Sequence, residues 1–396
     1  MGRIIRKCIY VNEQAFFYRD TWVEVNLDCI AANVSAVRAR LPQGVAIIGV
    51  VKANAYGHGD YQIAKAALDA GASMLAVAFM DEALSLRGKG ISAPILVLGA
   101  TRPEDVNIAT AENLTLTVFE PEWIEKAKEH LDSNETLFLH VKVDTGMGRI
   151  GVRSIEELSK IEMMIESDPR LMFDGIFTHF ATADELEDSY FHEQLVRFEA
   201  MVASLRSRPA CIHSSNSAAA LRYGEANFNA IRLGIVMYGL SPSPEIKPEL
   251  PIPLKEAFSL HSKLTQVKRV NKGEKISYGG TYETTEEEWI GTIPVGYADG
   301  WIRKLQGQEV LVNGVRSPIV GRICMDQCMV KLPYQVPVGT VVTLIGEQQG
   351  SIVPIDEIAS KLETINYEVP CLIASRVPRL YKRDEKIIDM KNPLLP

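Results

Sequence analysis

The chain has 396 residues, a formal net charge of −8, 46% hydrophobic and 23% charged residues, proportions of a soluble globular protein with a sizeable buried core. It holds no lysine- or arginine-rich block and no run near the ~20 apolar residues of a membrane span, which argues against nucleic acid and membrane as partners. Its six cysteines (Cys8, Cys29, Cys211, Cys324, Cys328, Cys371) form no CxxC pair, so reduced thiols are expected, with no disulfide framework and no metal site, even at Cys324 and Cys328.

Residues 1–13 read as an N-terminal extension. It is basic but lacks the apolar stretch and cleavage site of a secretory leader, so the cytoplasm is the expected location. WVEVNL (Trp22–Leu27) alternates like a strand and is a candidate partner for a later β domain. Strand-length apolar runs then recur at Ala46–Val51, Met74–Phe79, Pro94–Gly99, Leu114–Phe119, Leu137–Asp144, Phe173–Phe180, Cys211–Ser215 and Ala230–Met237. Helix-like stretches lie between them, at Gln62–Ala70, Asp81–Lys89, Pro121–Leu131, Ile155–Glu166 and Tyr190–Leu205. Strands alternating with helices pair in parallel through crossovers. Eight such units within residues 14–254 predict an α/β fold, a (β/α)8 barrel of the TIM type. Five prolines in SPSPEIKPELPIPLKEAF end the rhythm. Residues 255–396 then show short β runs such as WIGTIPVGYA and GTVVTLIG, with a tight Asn-Gly turn in VNGV, and predict a mostly β C-terminal domain.

A barrel of this kind carries its chemistry at the carboxyl ends of its strands. Lys52 ends the first strand, Lys142 and Asp144 close the fifth with Arg149 just beyond, and His179 closes the sixth. Asn216 and Ser217 follow the seventh, and Arg232 and Gly234 lie on the eighth. Lys52 reads either as a solvated cap or as a partly desolvated amine suited to carbonyl chemistry. On the fifth strand Leu137, Leu139, Val141 and Val143 share one face, which turns Lys142 and Asp144 towards the barrel axis, as a structural pair or as something chemically altered. Ser217 and Gly234 suggest a phosphate site between strands seven and eight, or plain packing of small residues. Gly146, Gly148 and Gly151 have GxGxxG spacing, but they sit in the fifth unit instead of opening a Rossmann half, so a dinucleotide is not expected there.

VVKANAYGHG (Val50–Gly59) resembles the pyridoxal-phosphate attachment motif of alanine racemases. The similarity continues through HVKVDTGMGRIGV, THFATAD, HSSNSAA, RLGIVMYGL, ISYGGTY, GYADGW, GRICMDQ and NYEVP, from about Asp20 to about Lys382. The resemblance implies that Lys52 carries pyridoxal 5′-phosphate and that Tyr278 is a second catalytic base. The lysine would serve D-alanine and the tyrosine L-alanine, with the D isomer destined for peptidoglycan. It further implies that Arg232 faces the cofactor's pyridine nitrogen, with His179 beside it, and that Arg149 meets the phenolic oxygen and the substrate carboxylate. Tyr56, Ser217, Gly234, Ile235 and Tyr367 match the phosphate binders, and Asn216 adjoins them. Met325, with Tyr297 and Asp326 at the substrate entrance, matches a contribution from the partner chain of a head-to-tail homodimer. Lys142 matches a lysine that is carbamylated in many members. A broader-specificity racemase, or a decarboxylase on the same scaffold, is the alternative. The related decarboxylases set an acidic residue against the pyridine nitrogen, and Arg232 speaks for the racemase.

Overall fold

The computed structural model describes residues 17–395, so the extension assigned to residues 1–13 lies outside the described residues. The chain divides into two compact units, one spanning Cys29–Glu256 and the other combining the segment up to Asp28 with the chain from Ala257 onward.

The first unit is built on eight strands: β2 (Ala46–Val50), β3 (Met74–Val77), β4 (Ile95–Val97), β5 (Leu114–Val118), β6 (Leu137–Lys142), β7 (Leu171–Phe177), β8 (Cys211–His213) and β9 (Ala230–Leu233). All neighbours pair in parallel, in the order β8-β7-β6-β5-β4-β3-β2-β9. Between β8 and β9 there is no ladder. Single bonds join these edges instead, from Asn229 N to Ile212 O (3.3 Å) and from Arg232 N to Ser215 O (3.0 Å), which leaves the barrel nearly closed. Runs such as AIIGV, MLAV and ILV suit these positions because each strand is covered on both faces. Ile48, Val50, Ala76, Leu96 and Ala230 meet as one apolar cluster, each large side chain contributing about 1.5–3 kcal/mol of burial.

Crossover helices occupy the expected stretches. The helix Ile155–Glu166 opens on a capping box in which Ser154 Oγ accepts from Glu157 N (3.2 Å) and Glu157 accepts from Ser154 N (3.3 Å). On β6 the alternation holds, with Leu139 and Val141 fully buried and His140 and Lys142 on the other face. The register slips once. Leu139 pairs with Phe173 but His140 with Gly175, so Asp174 is an extra residue in β7, a bulge that re-aims its side chain.

In the second unit, β1 (Thr21–Asn26) runs antiparallel to β10 (Phe258–Lys263) and parallel to the strand Arg379–Arg383. These belong to an 11-stranded sheet, with a separate two-stranded piece. The Asn-Gly turn forms as read, with Asn313 and Gly314 at positive φ between strands Glu309–Val312 and Val315–Val320.

Gly239 has φ +86, and a Cβ there would overlap the Lys255 carbonyl. Gly239→Ala should therefore cost about 3 kcal/mol in a urea unfolding titration, combining αL strain with overpacking.

Candidate active site

Directly after β2 the chain makes a left-handed helical turn. Ala53, Asn54, Ala55 and Tyr56 all have φ between +51 and +53, a conformation costing roughly 1–2 kcal/mol per residue for side chains with a Cβ. Local bonds hold it in place. The Glu82 carboxylate accepts from Ala53 N (2.6 Å), Ala78 N (2.7 Å) and Phe79 N (3.3 Å). Asn54 Oδ1 accepts from Asp60 N (3.2 Å), and the Asn54 carbonyl accepts from Gly59 N (2.8 Å). Buried His58 lies with Nδ1 against the Ala55 and Tyr56 carbonyls, at 3.1 and 3.0 Å. Two carbonyl partners require Nδ1 to be the protonated nitrogen. The turn leaves Lys52 half-buried at the strand end and brings Tyr56 back over the barrel mouth.

There Tyr56 meets the segment after β9. A Cβ on Gly234 would lie 2.9 Å from Tyr56 Oη and 3.8 Å from Ser217 Oγ, so only glycine lets backbone N–H groups approach at this point. Ser217 Oγ accepts from Gly234 N (2.9 Å) and Val236 N (3.5 Å). Asn216 caps the following short helix by accepting from Ala219 N (3.0 Å). Ile235 opens the 3-10 turn Ile235–Tyr238, and Tyr238 Oη donates to Val50 O (2.8 Å), tying the cradle to the lysine-bearing strand.

A group of cations fills the space beneath. Arg232 is 4% exposed and Lys142 3% exposed. Arg232 Nη1 donates to His213 Nδ1 (2.7 Å) and His213 O (3.0 Å), and Nη2 to Thr178 O (2.7 Å) and Ser214 O (2.8 Å). His179 Nδ1 stands 3.4 Å from Nη2. Among the described residues Nε makes no bond to protein, so one guanidinium donor remains for a ligand. Burial pushes the Arg232 pKa down to about 9, with Arg149 adding to the effect. Burial and the charges of Arg232 and Arg149 hold Lys142 well below the ordinary lysine value, and its Nζ donates to Val143 O (3.0 Å). Desolvation, then Arg232, Lys142, Arg149 and Lys52, hold His179 well below the ordinary histidine value. The Lys142–Asp144 pair expected as one reading of β6 is not formed. Asp144 Oδ1 instead accepts from Gly146 N (3.2 Å) and Gly148 N (2.9 Å), because backbone donors of the glycine loop are nearer than a retracted lysine. The GxGxxG spacing thus serves the turn after β6.

Residues 25–242 match the family model for the alanine racemase N-terminal domain, and residues 257–381 that for the alanine racemase C-terminal domain. The chain belongs to the alanine racemase family. The alanine racemase of Geobacillus kaustophilus is 58% identical over 95% of this chain and 98% of its own length. Alanine racemase 1 of Bacillus subtilis is 53% identical over 96% and 97%. The crystal structure of alanine racemase from Bacillus anthracis with bound L-Ala-P has a TM-score of 0.93 and 51% identity, covering 96% of this chain and 99% of that one. A histidine racemase from Leuconostoc mesenteroides shares the fold with a TM-score of 0.88 at 32% identity, over 92% and 99%. The activity of this alanine racemase family member is the pyridoxal 5′-phosphate-dependent interconversion of L- and D-alanine.

The residues fit that cofactor. A glycine-floored cradle of hydroxyls and N–H groups suits a phosphate, the spare Arg232 donor suits a ring nitrogen, and the excess of buried cations calls for an anion. The first unit brings together Lys52, Tyr56, Lys142, Arg149, His179, Asn216, Ser217, Arg232, Gly234 and Ile235. Tyr278, Tyr297, Met325, Asp326 and Tyr367 belong to the second unit, where Asp326 pairs with Arg376 at 2.5 Å. Sequence reasoning missed Glu82, a first-turn acid of the helix Met80–Gly88, and found no role for His58. It also passed over His213 inside HSSNSAA.

Glu82→Ala removes the acceptor for three backbone donors. It should lower stability by about 2 kcal/mol in thermal unfolding and slow racemisation by loosening Lys52, while Glu82→Gln keeps most of both.

Proposed function

We propose that Lys52 and Tyr278 are the two bases of the racemisation. The observation that carries this reading is the lysine-bearing left-handed turn, which sets Lys52 beside a cradle of Tyr56, Ser217 and Gly234 above a buried cationic floor. Tyr56 Oη, Ser217 Oγ and the N–H groups of Gly234 and Ile235 would hold the cofactor phosphate, with Asn216 ordering the loop, and the family resemblance adds Tyr367 to the phosphate binders. Arg232 Nε–H would donate to the ring nitrogen. When bound, pyridoxal phosphate withdraws electron density from the α carbon of the attached amino acid.

Lys52 Nζ then removes or returns the α proton on one face, and the Tyr278 hydroxyl does the converse on the other. Arg149 pairs with the substrate carboxylate. His179, kept neutral, links Arg232 towards the tyrosine. Lys142 as a neutral amine can add carbon dioxide, its nitrogen forming the new C–N bond and one proton leaving to solvent. The resulting carbamate anion would compensate Arg149.

Tyr278 is 70% exposed, and Tyr297 and Met325 are also exposed. Such exposure supports their insertion into a second copy of the chain, in a head-to-tail homodimer with Tyr297 and Asp326 at the entrance. No helix among the described residues is long and apolar enough to cross a membrane, and no disulfide joins the described cysteines. The proposed role is that of a cytoplasmic enzyme supplying D-alanine for peptidoglycan. The histidine racemase on the same fold favours, as a second reading, a wider amino-acid range at the same site.

Incubated with the cofactor and L-alanine, the protein should abolish optical rotation in a polarimetric assay, and persistent rotation would overturn the reading. Lys52→Ala should leave no measurable rate. Tyr278→Phe should reduce α-proton exchange from L-alanine by about 100-fold or more and from D-alanine much less; equal losses would refute the two-base assignment.

A further inference from the structure

Three side chains lower in the barrel continue the hydrogen bonding of Arg232, and their order can be deduced. A guanidinium only donates, so His213 Nδ1, 2.7 Å from Arg232 Nη1, is the acceptor. The proton of that imidazole therefore sits on Nε2, which lies 2.9 Å from His140 Nδ1. His140 Nδ1 must accept in turn, leaving His140 Nε2–H to donate to Asp174 Oδ2 at 3.2 Å. The chain runs one way, from Arg232 through two neutral rings to a carboxylate. No carboxylate pairs with Arg232 directly among the described residues.

Two features of the backbone make room for this chain. The bulge between β6 and β7 turns Asp174 towards His140. Gly175 is needed next to it, because a Cβ there would lie 2.6 Å from the His140 ring. Phe177 stacks on His213 at 4.7 Å between centroids and 6° between planes, fixing the ring's plane. A metal is a poorer occupant of this cluster, although His140, Cys211 and His213 place ligand atoms within 4.8 Å of one another. A metal on His213 Nε2 would drive the ring proton onto Nδ1, against the Arg232 N–H. Burial also keeps Cys211 as a thiol, its pKa pushed up to about 12.

We infer that His140 and Asp174 are positioning residues for Arg232: by fixing the tautomer of His213 they supply the acceptor that aims the guanidinium, and they deliver a carboxylate's compensation to a cation that has none beside it. The inference rests on the reading that Arg232 serves the cofactor ring. Asp174 acts through two imidazoles and touches neither cofactor nor substrate. Its charge polarises the chain so that each ring presents Nδ1 as an acceptor upward and Nε2–H as a donor downward.

The test is nitrogen-15 NMR of the histidine-labelled holoenzyme, with the two rings assigned by loss of signal in His140→Asn and His213→Asn. Both should be neutral, protonated at Nε2 and not at Nδ1; a ring protonated at Nδ1 overturns the inference. Kinetics provide the second arm. His140→Leu, which leaves His213 without an acceptor, should lower kcat about tenfold with KM within about twofold. His140→Asn, whose amide oxygen replaces Nδ1, should recover most of that loss. Equal loss in both variants, with unchanged melting temperatures, overturns the positioning role. An unchanged kcat in His140→Leu overturns it as well. Failure of the wild-type protein to racemise L-alanine would instead sink the functional reading and leave the tautomer result standing.

Discussion

A guanidinium buried in a barrel without a carboxylate beside it is the constraint on which the rest of the site depends. Desolvating such a charge is costly unless every donor is engaged and the charge is compensated. Arg232 meets the first condition at both Nη atoms, with carbonyls from Thr178, His213 and Ser214 and with the His213 ring, and keeps only Nε–H unengaged by protein among the described residues. It meets the second only at a distance, through the histidine chain to Asp174. Burial first, and then the field of Arg232, explain why Lys142 and His179 lose affinity for protons. A site with this surplus of positive charge is prepared for a phosphorylated cofactor and a substrate carboxylate.

Backbone strain is the second resource. Four non-glycine residues in the left-handed region place Lys52 and Tyr56 on the same side of the barrel mouth within a few residues of chain. A right-handed turn would carry Tyr56 elsewhere. Glu82 accepts from Ala53 N and His58 Nδ1 meets the Ala55 and Tyr56 carbonyls, so these bonds offset part of the turn's strain. The function of the barrel and the local distortion are thus linked: rigid strands fix Lys52 at the barrel mouth, and the distorted turn brings back Tyr56, the proposed phosphate ligand.

Much of this was legible in one dimension. Each of the eight runs expected as barrel strands overlaps an observed one, because parallel strands buried on both faces read as short apolar runs separated by helical periodicity. Lys52, Lys142, His179, Ser217 and Arg232 stood out because polar residues at the ends of such runs are few. Glu82, His58, His140 and Asp174 were harder to see. ANAY carries no glycine to announce positive φ, so nothing marked the turn that Glu82 and His58 hold. Asp174 follows the wholly apolar strand opening Leu171-Met172-Phe173, and strict alternation cannot reveal a bulge.

The amino-acid sequence by itself determined the barrel, the β-rich unit, the lysine at the end of the first barrel strand and the family to which the chain belongs, since these depend on local periodicity and on motifs contiguous in the chain. The tertiary structure alone decided which donors each buried group uses. Asp144 turned to the glycine loop instead of to Lys142, and Arg232 reached Asp174 through His213 and His140, residues of two other strands. Hydrogen-bond partners far apart in the chain are chosen by distance and direction in the folded state, and neither quantity is written in the order of residues.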